Sequence, residues 1–124
     1  MRWQLYGSSE RPMVLLIAAN CSEQQKTVQT ALLSKYQLFV VSGGRPGQEA
    51  LGQEEQAAEV VEELKVICQT HIYAICCFAG GFGLMMEILH RGIVADHIAA
   101  ESVKAVPGEG ILAMLRDWRA TNER

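Results

Sequence analysis

Two stretches of this chain combine glycine with side chains able to hold or act on a ligand: Ser42-Gly43-Gly44-Arg45-Pro46-Gly47, and Ala79-Gly80-Gly81-Phe82-Gly83-Leu84-Met85-Met86-Glu87. Glycine admits positive φ and lets a ligand approach the backbone, and a helix that begins beside such a loop offers unpaired N–H groups and a partial positive charge. That combination suits a phosphate. Arg45 is placed to grip phosphate oxygens bidentately, with the Ser42 hydroxyl and the amides of Gly43, Gly44, Gly47, Gly80, Gly81 and Gly83 completing a cradle. Glu87 is the candidate catalytic group, a carboxylate that can bind ribose hydroxyls or stand against the positive charge that develops when a glycosidic bond breaks. Arg91, four residues further on, joins the ligand-binding set; its competing role is a surface ion pair with Glu87.

Other chemistries lack their residues. Neither stretch fits the dinucleotide fingerprint or the P-loop, since "GFGLMM" lacks the last glycine of the first and "GGRPGQEA" lacks the Lys-Ser/Thr of the second. His71, His90 and His97 have no metal-ligand spacing, no Ser or Cys stands in a nucleophile-elbow pattern, and no cofactor is indicated. Asp96-His97 is an acid–base pair only in sequence. Cys21, Cys68, Cys76 and Cys77 form no CxxC; the adjacent pair points to opposite faces if it lies in a strand, as buried thiols of a reducing compartment. A net charge of -3 with no block of Lys or Arg argues against nucleic acid. No signal-peptide pattern opens the chain, and the longest charge-free apolar run, Ile72 to Met86, is too short to cross a bilayer. A cytoplasmic location without membrane contact is expected.

The elements that must position these groups alternate. Met13 to Ala18 reads as a strand covered on both faces; a helix follows from Ser22, through a Ser22–Gln25 capping box, to about Tyr36. Gln37 to Val41 is a second strand that stops at Ser42. Ala57, Val60, Val61, Leu64, Ile67 and Cys68 make the apolar stripe of a helix from about Gly52 to Thr70. A third strand, His71 to Phe78, leads through the second glycine stretch into a helix from Leu84 to Arg91, closed by Gly92. Residues 95–106 read as helix or as a fourth strand, with Ser102 to Val106 the better strand; Ile111, Leu112, Leu115 and Trp118 then form a closing helical stripe. The expected architecture is a single Rossmann-like three-layer α/β domain over 1–124, with a mostly parallel sheet of about four strands. Ligands of such sheets bind at the strands' carboxyl ends, where both glycine stretches fall.

The pair of stretches resembles the lysine-decarboxylase-like, or LOG, phosphoribohydrolases and the wider SLOG branch of Rossmann-like proteins, over roughly residues 13 to 95. Gly43, Gly44 and Gly47 keep the spacing of that family's GGGxxG loop, and Gly80, Gly81, Gly83 and Glu87 that of its PGGxGTxxE loop. The resemblance implies one nucleotide site, with Glu87 at the base–ribose bond. Ala79 stands where the motif has Pro and Leu84 where it has Thr; between Gly47 and Gly80 the only basic side chain is Lys65, so the family's catalytic arginine is missing. This tilts the expectation from N-glycosidic hydrolysis towards binding of a nucleotide or phosphorylated ribose. The alternative is a flavodoxin-like structural or interaction domain. Exposed sheet edges make homo-oligomerisation an expectation under either reading.

Overall fold

The computed structural model describes residues 2–8, 10–18, 22–42, 53–67, 69–78 and 82–100. Eight elements run β1 (Arg2–Tyr6), β2 (Met13–Ala18), α1 (Ser22–Leu33), β3 (Gln37–Ser42), α2 (Gln53–Val66), β4 (His71–Cys77), α3 (Phe82–His90) and β5 (Val94–Ala100). The strands form one five-stranded mixed sheet in the order β1-β3-β2-β4-β5, parallel throughout except for β1, which runs antiparallel to β3.

The unbroken apolar runs are buried on both faces, as their composition requires. Val14 and Leu16 of β2 pack with Val28 and Leu32 of α1, whereas Leu15 and Ile17 pack with Val60, Val61 and Leu64 of α2 and with Met85 and Ile88 of α3. Helices therefore cover both faces, α1 on one and α2 with α3 on the other. Cys76 and Cys77 divide between the two clusters, as adjacent strand residues must. The α2 stripe is buried at Ala57, Val60, Val61 and Leu64, and Ile67 packs beside it.

Several boundaries differ from the sequence reading: α1 ends at Leu33 rather than about Tyr36, and α2 at Val66 rather than about Thr70. β1 brings the sheet to five strands rather than about four; its five residues gain their order from pairing with β3, Arg2 opposite Ser42 and Tyr6 opposite Leu38, after which Gly7 turns the chain at φ 89°. The strand near residue 95 is β5, Val94–Ala100, fixed by its register with β4 from His71↔Val94 to Cys77↔Ala100. The segment Ser102 to Val106 and the closing stripe at 111–118 lie outside the described residues, as does the side-chain part of the Ser22–Gln25 cap. Finally, α3 starts at Phe82 rather than Leu84, so Gly83 is helical and Glu87 is the sixth residue of its helix rather than the fourth. Its end is as expected: Gly92 takes φ 97° and donates its N–H to the Leu89 carbonyl at 3.3 Å.

Candidate functional site

Parallel strands joined through helices put their carboxyl ends on one side of the sheet, and the register shows how level those ends are. Ser42 of β3 pairs with Ala18 of β2, Ile17 of β2 pairs with Cys77 of β4, and the Phe78 N–H donates to the Ile17 carbonyl at 3.2 Å. Ser42 and Phe78, the described residues that precede the two glycine stretches, therefore lie on the same side of the sheet and at the same height. Their strands are not neighbours: β2 lies between β3 and β4, which at 4.7–4.9 Å per strand separates Ser42 from Phe78 by about 10 Å.

Strand order also reverses here. From β2 the chain crosses to β3 on one side, then returns past β2 to β4 on the other, so β2 and β4 flank the switch point at which open α/β sheets take ligands. Gly43, Gly44, Arg45, Gly47, Gly80 and Gly81 lie outside the described residues, as does the side chain of Ser42, whose backbone closes β3.

Gly83, Glu87 and Arg91 can be followed further. Crossovers between parallel strands are right-handed in about 98% of cases, which sets α3 in front of β4 and β5, with α2 on its flank over the rest of the sheet. Leu84, Met85 and Ile88 are buried against the sheet. At 100° per residue, Gly83, Glu87 and Arg91 then fall on the flank towards α2 and the switch point, whereas Phe82 and Met86 fall towards solvent and the outer edge of β5. Exposure agrees: Phe82 is 57% exposed and Met86 38%, while Gly83 and Glu87 are half-buried and α2 packs against α3. A helical side chain leans back over the preceding turn, so Glu87 covers Gly83 and leans towards the strand ends.

Among the described residues Glu87 makes no ion pair with Arg91, which is exposed and donates its backbone N–H to the Glu87 and Ile88 carbonyls. Asp96 pairs not with its neighbour His97 but with His71, which donates from Nε2 to Oδ1 at 2.7 Å across the start of β4 and β5, far from the strand carboxyl ends. His97 instead lies against Tyr73, ring centres 4.8 Å apart, and Tyr73 stacks on Tyr36 at 5.0 Å. These cross-strand partners depend on register, which spacing along the chain does not carry.

Nothing else among the described residues competes for the chemistry. No cluster of His, Cys, Asp or Glu suits a metal ion, and no helix is long and apolar enough to cross a membrane. A shallow depression on α2 is lined by Ala58, Glu59, Glu62 and Glu63, whose three carboxyl groups oppose an anionic ligand. Cys76 and Cys77 are buried; burial, with a smaller push from Cys77, drives the Cys76 thiol far above its ordinary value of 9.0, so it is no nucleophile.

No family model and no curated protein matches the chain. Among solved structures it is similar to a protein from Desulfitobacterium hafniense assigned to the alpha/beta hydrolase family, with a TM-score of 0.62 and 20% identity over 80% of this chain. The chain spans 42% of that protein's length. At this identity the likeness is one of fold: an α/β domain with a mixed sheet.

Proposed function

We propose that this chain is a Rossmann-like ligand-binding domain of the SLOG type that takes a nucleotide or phosphorylated ribose across the carboxyl ends of β3, β2 and β4. The observation that carries the reading is the register Ala18↔Ser42 and Ile17↔Cys77, which levels the strand ends that lead into the two glycine stretches. In this arrangement Arg45, Ser42 and the amides of Gly43, Gly44 and Gly47 hold one end of the ligand, and Gly80, Gly81 and Gly83 line the other. Glu87 reaches the ribose, with Arg91 one turn further along the same flank. Without an arginine between the loops the site binds more readily than it cleaves; any residual reaction is N-glycosidic, with Glu87 at the anomeric centre. The chain acts in the cytoplasm as a homo-oligomer built through its sheet edges, β1 or β5, which a monomeric mass in size-exclusion with light scattering would refute.

The test is a series of thermal melts with AMP, ADP-ribose and other nucleoside phosphates. A ligand at 100 times its dissociation constant adds about 2.7 kcal/mol. A shift without release of free base supports the binding protein; release of base, lost in Glu87→Ala, supports the N-glycosidase; no shift across the panel leaves a flavodoxin-like structural or interaction domain.

A second reading is favoured by the β4–α3 unit, because strand, short connection and helix is the setting of a nucleophile elbow. The G-x-S-x-G pattern laid on Cys77-Phe78-Ala79-Gly80-Gly81 puts alanine at the serine position. Under this reading the domain keeps a hydrolase-like site for a carbonyl compound without its nucleophile. Melts would then respond to carboxylic esters rather than nucleotides, with no ester turnover.

A further inference from the structure

We draw no further inference here: the strongest candidate, the exposed apolar edge formed by Phe82 and Met86 of α3 with Val94 and Ile98 of β5, carries nothing because nothing in the structure shows what covers it.

Discussion

Cys76 and Cys77 sit side by side in the chain and on opposite sides of the sheet, so each is sealed by a different helical layer. The folded protein holds the Cys76 proton far above the ordinary value of 9.0, while the unfolded chain releases it near that value. Above it the unfolded state therefore binds fewer protons than the folded state, and stability falls as pH rises. The contribution is complete below about pH 9 and declines above it, by up to about 1.4 kcal/mol per pH unit for one such thiol. Urea unfolding between pH 7.5 and 10.5 should give a shallower decline for Cys76→Ala than for the unsubstituted chain. Because the comparison uses the slope, the cost of the small cavity cancels. Parallel slopes in the two proteins would refute this account of the buried thiol. The separation of the pair onto two faces was legible in the sequence, since it follows from strand periodicity. The Asp96–His71 pair was not: its members are brought together only by the β4–β5 register.

Elements with a strong burial rhythm were readable because burial itself wrote the rhythm. The α2 stripe has it, although the helix ends at Val66 rather than Thr70; β2 and β3, buried on both faces, are marked by unbroken apolar runs instead, and their bounds lie close to those expected. β5 lacks such a run: Val94-Ala95-Asp96-His97-Ile98-Ala99-Ala100 mixes three alanines with two polar residues, and its pairing with β4 overrides the helix preference of alanine. In α3, glycine at position 83 costs about 1 kcal/mol of helix preference, and burial of Leu84, Met85 and Ile88 outweighs it. Two other glycines close elements at positive φ and differ in their surroundings. At Gly92 an added Cβ meets nothing within 4 Å, so Gly92→Ala should cost only the backbone term, about 1–2 kcal/mol. At Gly7 the Cβ would sit 3.3 Å from the Tyr36 carbonyl oxygen and 3.4 Å from the Gln37 Cα, both backbone atoms that cannot swing away. Gly7→Ala should therefore be the more destabilising in urea unfolding; an equal or smaller loss than for Gly92→Ala would contradict the close packing of Gly7 on the Tyr36–Gln37 backbone.

For the molecule as a whole, alternation of strands and helices announced an α/β domain, but strand order was hidden, because no strand's own residues name its neighbours. That order turns two glycine stretches into one proposed site of particular reach. With β2 between them, the ends of β3 and β4 stand about 10 Å apart, so under this proposal a lone phosphate meets one stretch and a nucleotide spans both. Isothermal titration with dissected ligands exploits this. Inorganic phosphate should lose affinity in Arg45→Ala, by about 1.5–3 kcal/mol for a charge-assisted contact, and be indifferent to Glu87→Gln. Adenosine should respond the other way, weakened by Glu87→Gln and indifferent to Arg45→Ala. AMP should feel both substitutions, and because they touch separate ends of the ligand, the double variant should lose the sum of the single losses within about 0.5 kcal/mol. One AMP per chain is required. Two AMP molecules per chain, or AMP affinity that answers to only one of the two substitutions, would mean that the stretches serve separate sites and that β2 divides them rather than forming a shared floor.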